Sequence, residues 1–196
     1  VCISPTRFFI EESIHDQFLK AFKKHVEAVN IGNGLDAGVS MGPLVADRRL
    51  DIMEGFVSNA VSEGAELLVG GERVQSSGSF YQPTLLANVP SSAQIMTEEP
   101  FGPIAPTATF ASLDEVIDRA NSLPFGLAAY AFTGSPKTAG ALKTEIESGM
   151  LAINSLHIHS VETPFGGLKN SGYGYEGGIE GLEAFLATKY SSEVYT

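Results

Sequence analysis

Short apolar segments alternate with amphipathic ones between residues 104 and 154, and this is the clearest pattern in the chain. The runs 104–110, 127–132 and 150–154 have the length and composition of strands, and the last two are apolar enough to be covered on both faces. Between them, the capping box Ser112-Leu113-Asp114-Glu115 and the pair Ser135-Pro136 each predict the start of a helix. Such alternation is typical of parallel strands joined by crossover helices. It predicts an α/β fold, a three-layer sandwich with a mostly parallel sheet.

The first sixty residues predict one strand and two helices. Phe8 to Ile10 is a short apolar run that favours a strand. Ser13 is expected to cap an amphipathic helix that ends near Asn30, and Asp47 to cap a second helix that Gly64 ends. In the second helix, the apolar positions expected to face the protein core are Leu50, Met53, Val57 and Ala60.

The segment from residue 66 to residue 86 predicts two strands around a polar excursion. Glu66 to Val69 favours a strand, and residues 72–80 are polar and rich in Gly and Ser, as in a surface loop. Gln82 to Leu86 favours another strand. Because Pro83 cannot donate a hydrogen bond to a ladder, we expect this strand to be antiparallel or at a sheet edge.

Regular structure largely lapses after residue 154. Six glycines fall between residues 166 and 178, and long irregular loops at strand ends often build sites. Residues 179–186 predict a short helix, and 188–195 alternate as a terminal strand does. That strand either pairs with another subunit or edges the sheet of its own domain. We therefore divide the chain into a domain at 1–186 and a strand at 187–196.

The charge of the chain excludes some classes of function. The net charge is −11 and no basic run occurs, so nucleic-acid binding and attachment to an anionic membrane are not expected. A single cysteine rules out an intrachain disulfide and favours a reducing compartment, so we expect a cytoplasmic protein. The chain opens with Val1 only a few residues before the first predicted strand. We therefore expect it to be a piece of a longer protein.

Two candidate binding patterns fail on context. Gly32 to Ala37 match the glycine spacing of a dinucleotide fingerprint, but a helix precedes them and a loop follows, whereas the fingerprint needs a strand before and a helix after. His157 and His159 alternate and share a face, but they lack a third ligand, so no metal site is expected.

Three motifs, taken together, have a chemical meaning that none has alone. The first is Cys2, the second is Glu98-Glu99-Pro100-Phe101-Gly102-Pro103, and the third is Pro164-Phe165-Gly166-Gly167 with Lys169, Ser171-Gly172 and Gly174 after it. In this order and at these separations, they resemble the carboxy-terminal part of the aldehyde dehydrogenase superfamily. The succinate-semialdehyde dehydrogenase-like branch is the most similar, and the resemblance covers essentially all of the chain.

The resemblance implies a role for each of five residues. Cys2 would be the nucleophile, which captures an aldehyde as a thiohemiacetal and then a thioester, and its backbone N–H would donate to the oxyanion. Glu99 would accept hydrogen bonds from the nicotinamide ribose of NAD or NADP, and Phe101 would pack near the nicotinamide. Phe165 would line the substrate tunnel, and Ser160 would contact a substrate carboxylate.

The resemblance also implies parts that this sequence does not contain. These are the nucleotide-binding domain, the general-base glutamate, the oxyanion asparagine and the Gly-Gln before the cysteine; Tyr175 also stands where the family has arginine. We therefore expect the catalytic part of an enzyme that oxidises succinic semialdehyde or a similar aldehyde and forms a homodimer or homotetramer, inactive as the isolated chain. Two alternatives stay open: a non-catalytic α/β assembly module, and an acylating relative in which coenzyme A attacks the thioester.

Overall fold

The computed structural model describes residues 1–74 and 78–196, which form two compact units, residues 1–116 and 117–196. The polar excursion predicted for residues 72–80 lies partly outside the described residues. Each unit has its own strand pairing.

The first unit is built on a four-stranded sheet. Its elements are β1 (Phe8–Glu11), α1 (His15–Glu27), α2 (Arg48–Ser62), β2 (Glu66–Val69), β3 (Thr84–Ala87) and β4 (Ile104–Phe110). The strand order is β1-β4-β3-β2, with β4 parallel to both β1 and β3 and β2 antiparallel to β3. All four residues of β3 are buried, and neighbouring residues of a strand point to opposite faces, so both faces of the sheet are covered. This confirms the predicted α/β class with a mostly parallel sheet.

The core of this unit lies between α2 and the sheet. Leu86 of β3 and Ile104 and Ala108 of β4 pack into it, while α1 lies against β1, β2 and β3. Full burial of a side chain as large as leucine or isoleucine contributes about 1.5–3 kcal/mol to the free energy of unfolding. The residues that α2 buries here are Leu50, Met53, Phe56, Val57 and Ala60, which include the four predicted from the sequence.

Two details of the strand and helix predictions for this unit differ from the structure. The strand predicted at Gln82 to Leu86 is antiparallel to β2, as expected, but it is an interior strand and not an edge strand. Pro83 lies just before its first ladder residue and removes no donor from the ladder. Neither predicted helix cap forms. Ser13 lies in a short 3₁₀ turn and donates to the carboxylate of Glu11 (3.2 Å), and the carboxylate of Asp47 accepts from Ser79 (2.5 Å). Asp47 already has helical dihedral angles, so its side chain cannot cap the first turn.

The structure confirms the surroundings predicted for the glycine pattern at Gly32 to Ala37, with a helix before it and a loop after it. The pattern follows α1, and the chain after it stays irregular until α2 begins at Arg48. A pyrophosphate therefore finds no helix amino terminus directly after these glycines.

Tyr81 is the largest buried side chain of this unit, and its hydroxyl has no hydrogen-bond partner among residues 1–74 and 78–196. Burial, with a smaller contribution from the charge of Glu54, raises the pKa of Tyr81 to about 12. Between about pH 10 and pH 12 the unfolded chain has lost this proton while the folded chain keeps it, so stability falls as pH rises, by about 1.4 kcal/mol per pH unit.

We expect Tyr81→Phe to keep or raise stability at pH 7, because it removes an unpaired buried hydroxyl. It should also remove this part of the alkaline loss, whereas Tyr190→Phe, at a tyrosine that is 88% exposed, should leave the loss unchanged. Urea unfolding between pH 7 and pH 11 measures both. A marked loss of stability in Tyr81→Phe at pH 7 would contradict the interpretation.

The second unit contains two short sheets. It comprises most of α3 (Leu113–Asn121), then β5 (Phe125–Gly126), β6 (Ala128–Ala131), α4 (Pro136–Glu145), β7 (Met150–Ile153), β8 (Leu168–Lys169) and α5 (Glu180–Glu183). β6 and β7 are parallel neighbours that α4 connects, as predicted, and β5 pairs with β8 in antiparallel register. β6 is only half-buried along its length, so the prediction that it is covered on both faces is wrong for this chain.

The capping predictions for α3 and α4 are confirmed. The hydroxyl of Ser112 accepts from the N–H of Glu115 (3.2 Å), and the Glu115 carboxylate accepts from the N–H of Ala111 (2.9 Å). Ser135 caps α4 by accepting from the N–H of Thr138 (3.2 Å), with Pro136 at the first helical position.

The predicted terminal strand does not form in this chain. Residues 187–196 are exposed and pair with no described strand, so the alternative in which they edge the sheet of their own domain is wrong. The physical reason is that a strand needs a ladder partner, and without one its backbone groups bind water. α5 is also shorter than the helix predicted for 179–186. None of the helices in the described ranges is both long and apolar enough to cross a membrane.

Candidate functional site

Cys2 lies in an exposed turn ahead of β1. The turn is closed by a hydrogen bond from the N–H of Ser4 to the carbonyl of Val1 (3.1 Å), and the thiol is a free cysteine. Exposure matters because a nucleophilic thiolate has to reach its substrate.

The parallel pairing of β1 and β4 brings the segments of Cys2 and Phe101 to the same edge of the sheet. Phe8 of β1 stands opposite Thr107 of β4. Cys2 precedes Phe8 by six residues, and Phe101 precedes Thr107 by six residues. Neighbouring strands lie about 4.8 Å apart, and parallel strands share the same amino edge. The segment that carries Cys2 and the loop at residues 98–103 therefore both lie at the amino-terminal end of these two strands.

The loop at residues 98–103 is held from α2. The guanidinium of Arg49 donates to the carbonyl of Pro100 and lies 3.5 Å from the carbonyl oxygen of Phe101. Gly102 packs directly on Met53, since a Cβ at this glycine would lie 2.2 Å from the sulfur. Phe101 has a φ of +43°, in the left-handed region that non-glycine residues rarely occupy, and its side chain is 55% exposed.

The two carboxylates of this loop have different surroundings. Gln94 donates to the Glu98 carboxylate (3.0 Å), and the N–H of Glu98 donates to the carbonyl of Gln94 (2.9 Å). Glu99 is exposed, and its carboxylate has no side-chain partner within the described residues. Glu99 is therefore the carboxylate available to a ligand.

Ser160 and Phe165 lie in the loop after β7 of the second unit. Thr163 fastens this loop, since its hydroxyl accepts from the N–H of Ser160 (2.8 Å) and donates to the Ser160 carbonyl (3.1 Å). A hydrogen bond from the hydroxyl of Ser160 lowers the pKa of the Glu162 carboxyl group. Ser160 thus already has an anionic partner on its own loop.

Phe165 is fixed through its backbone and touched on its ring. Its N–H donates to the carbonyl of Glu176 (2.7 Å) and its carbonyl accepts from the N–H of Glu176 (2.8 Å). The ring of His159 meets the ring of Phe165 edge to face at 5.7 Å between centroids. His159 is therefore a neighbour of Phe165 that the sequence alone did not reveal. Within the ranges that the structure describes, no three His, Cys, Asp or Glu side chains come close enough to hold a metal.

Two other residues of the third motif, Lys169 and Ser171, make structural contacts. Lys169 donates to the carbonyls of Asn121 (2.7 Å) and Leu123 (3.1 Å) and forms an ion pair with Glu147 (2.5 Å). It thereby supplies donors to carbonyls at the carboxyl end of α3. The hydroxyl of Ser171 accepts from the N–H of Gly126 (2.8 Å), which ties the loop to β5.

Tyr175, whose role the sequence did not reveal, packs on Gly166 of the third motif. A Cβ at Gly166 would lie 2.4 Å from the Tyr175 ring, and one at Gly149 would lie 2.0 Å from the carbonyl oxygen of Gly166. Glycine is required at both positions because the backbones approach this closely. The signal in the sequence was the density of glycines, but it did not say which side chain fills the space.

Comparison with known proteins agrees with this arrangement. The model of the aldehyde dehydrogenase family matches residues 1–191. The chain is 44% identical to a putative 4-(hydroxymethyl)benzenesulfonate dehydrogenase of Comamonas testosteroni over 96% of this chain and 39% of that protein. It is 38% identical to the mitochondrial succinate-semialdehyde dehydrogenase of Rattus norvegicus, over 96% of this chain and 36% of that protein.

Solved structures give the same result. The crystal structure of betaine aldehyde dehydrogenase from Staphylococcus aureus in complex with NAD⁺ superposes with a TM-score of 0.91 at 35% identity, covering 96% of this chain and 38% of that one. The chain thus spans less than two-fifths of the length of each of these three proteins. The family model and these identities show that the chain belongs to the aldehyde dehydrogenase family.

Proposed function

We propose that residues 1–186 are the catalytic-domain portion of an NAD(P)-dependent aldehyde dehydrogenase that oxidises an aldehyde to a carboxylic acid. The observation that carries the proposal is the shared sheet edge, where the exposed thiol segment of Cys2 and the loop with Glu99 and Phe101 emerge from paired strands. One segment brings a nucleophile and the other brings groups suited to a cofactor.

The residues of the loop fit a nicotinamide cofactor. A carboxylate without a protein partner can accept hydrogen bonds from two ribose hydroxyls, which is the role proposed for Glu99. An exposed aromatic ring held in a strained conformation, as at Phe101, offers a surface on which a nicotinamide can pack. The residues proposed here fit either NAD or NADP, because none of them is assigned to the adenosine ribose, whose 2′ position distinguishes the two cofactors.

Cys2 performs the covalent chemistry in this proposal. Its thiolate bonds to the aldehyde carbon and the carbonyl oxygen becomes an oxyanion, to which the backbone N–H of Cys2 donates. Bound nicotinamide supplies the acceptor for the hydride. Loss of that hydride from the carbon reforms the C=O bond as a thioester of Cys2. Water then adds to the thioester and the C–S bond breaks, which releases the carboxylate and the Cys2 thiolate, while the two protons of the water pass to solvent.

The substrate we propose is an aldehyde with an anionic group, such as succinic semialdehyde. The names of the Comamonas and rat relatives contain a sulfonate and a succinate, respectively. Phe165 would line the aldehyde's path, and Ser160 would donate to the anion. The Ser160 hydroxyl, which lowers the pKa of the Glu162 carboxyl group, would donate to the carboxylate of the substrate in its place.

Residues 187–196 are proposed as an oligomerisation strand. Tyr190, Val194 and Tyr195 of this segment are each more than 80% exposed, and its backbone has no ladder partner among residues 1–74 and 78–196. Pairing with another subunit would satisfy that backbone and form a homodimer or homotetramer. The same segment supports the alternative of a non-catalytic assembly module. A cytoplasmic location stays a prediction, as does inactivity of the isolated chain.

The test uses the complete enzyme that contains this chain. It is offered succinic semialdehyde and a panel of uncharged and anionic aldehydes with NAD or NADP, and NAD(P)H formation is followed by absorbance. We expect turnover that favours the anionic aldehydes, and none from the chain alone. Turnover that needs coenzyme A would favour the acylating alternative, and no turnover in any combination, with a stable oligomer, would favour the assembly module.

A further inference from the structure

The positive charge of Arg49 does not stabilise the helix to which this residue belongs. It is the second residue of α2, and the amino terminus of a helix carries a partial positive charge that disfavours cations. Arg48 beside it is exposed to solvent, whereas Arg49 is half-buried. The stability of α2 therefore does not explain why Arg49 turns inward, and its contacts have to.

Those contacts are with two carbonyl groups in the loop at residues 98–103, one on each side of the strained Phe101 Cα. The Arg49 guanidinium donates to the carbonyl of Pro100 and approaches that of Phe101. Pro100 and Pro103 have no N–H, so the loop is poor in donors of its own. In the described part of the chain, Arg49 is the donor to these two oxygens.

These bonds determine how the peptide between Pro100 and Phe101 is oriented. That orientation, together with Met53 packed on Gly102, directs Glu99 and Phe101 outward from the loop. A φ of +43° at Phe101 is unfavourable for a residue with a Cβ, and it persists only where its surroundings over-determine it. Both contacts are made by the same nitrogen, Nη2, whose two N–H groups can be directed at two acceptors at once.

We propose that Arg49 is a positioning residue for cofactor binding, which holds the loop so that Glu99 and Phe101 face the nicotinamide ribose and ring. This inference rests on the proposed function. Arg49 acts here through the loop backbone, 51 residues away along the chain.

The test compares Arg49→Met with Arg48→Met in the complete enzyme. Titration of NAD(P)H fluorescence gives the dissociation constant of the cofactor, and steady-state kinetics give KM for cofactor and aldehyde separately. For Arg49→Met we expect about a tenfold weaker cofactor affinity with little change in KM for the aldehyde, since one charge-assisted bond is lost. Arg48→Met should bind cofactor as the unchanged enzyme does. Arg49→Lys should recover part of the loss, because a single ammonium group can still donate to one carbonyl.

A second measurement separates positioning from general stability. In an enzyme that already carries Glu99→Gln, Arg49→Met should weaken cofactor binding much less than it does alone. The reason is that the carboxylate of Glu99, which the loop holds toward the cofactor, is already lost. Equal effects in both backgrounds, or unchanged affinity in both Arg49→Met and Arg49→Lys, would overturn the inference.

The same experiment distinguishes this inference from the function beneath it. An unchanged enzyme that neither binds NAD(P)H nor turns over would overturn the proposed function itself. Normal cofactor binding and turnover in the unchanged enzyme, with no effect of Arg49, would remove only the positioning role.

Discussion

Replacing Cys2 with alanine is expected to lower aldehyde oxidation by the complete enzyme by at least about a thousandfold, as is typical when a covalent nucleophile is removed. The proposed route has no second thiol in this chain to replace it, because Cys2 is its one cysteine. Without a thioester, the aldehyde can be oxidised to the acid only through its hydrate. On that route the protein forms no covalent bond with the substrate.

The measurement is the initial rate of NAD(P)H formation under saturating cofactor and aldehyde. The exposed turn that carries Cys2 contributes little to the core, so Cys2→Ala should keep its unfolding midpoint and its affinity for NAD(P)H. This combination separates loss of chemistry from loss of structure. Cys2→Ser is the matched control for geometry, and it should stay nearly inactive because a hydroxyl is a far weaker nucleophile than a thiolate at neutral pH. A Cys2→Ala enzyme with more than about a tenth of the original rate would contradict the assignment.

The elements that the sequence predicted well are those whose signals are local. The capping box at Ser112 and the Ser135-Pro136 pair started helices where expected, because each cap satisfies a donor within three residues. The predictions at Ser13 and Asp47 failed because each side chain found another partner. For Asp47 that partner, Ser79, lies 32 residues away along the chain. Nothing in a local pattern reports such a competitor.

The site shows the same limit more strongly. The motifs led to Cys2, Glu99 and Phe101, but the contact between Arg49 and the loop joins residues 51 positions apart. The bond from Lys169 to Asn121 likewise spans 48 positions. Which of Glu98 and Glu99 is free also depends on Gln94, whose amide reaches only one of them. The sequence could indicate candidate segments, whereas the contacts that hold those segments in place required the fold.

Introducing a methyl group at Gly149 is expected to be the most destabilising single change in the second unit. The Cβ of Gly149→Ala would lie 2.0 Å from the carbonyl oxygen of Gly166 and 2.8 Å from the Cα of Gly167, and both are backbone atoms that cannot rotate away. Gly149 also donates through its N–H to the carbonyl of Gly126 (2.9 Å), directly before β7. Relief of the overlap therefore has to move either β7 or the segment that carries Phe165. We expect a loss of at least about 3 kcal/mol, at the upper end of what overpacking costs.

Gly140→Ala provides the matched control, because it adds the same methyl group to a glycine of the same unit. Gly140 lies exposed within α4, and a Cβ there would meet nothing within 4 Å. Alanine is favoured over glycine inside a helix by about 1 kcal/mol, so this change should leave stability equal or higher. Urea unfolding of the two variants gives the difference directly. Because the strain at Gly149 is relieved through the backbone next to Phe165, the Gly149→Ala enzyme that remains folded should also show a raised KM for the aldehyde. A loss of less than about 1 kcal/mol at Gly149 would mean that the strand and the glycine-rich loop separate easily, and Phe165 would then not be held in place by the fold.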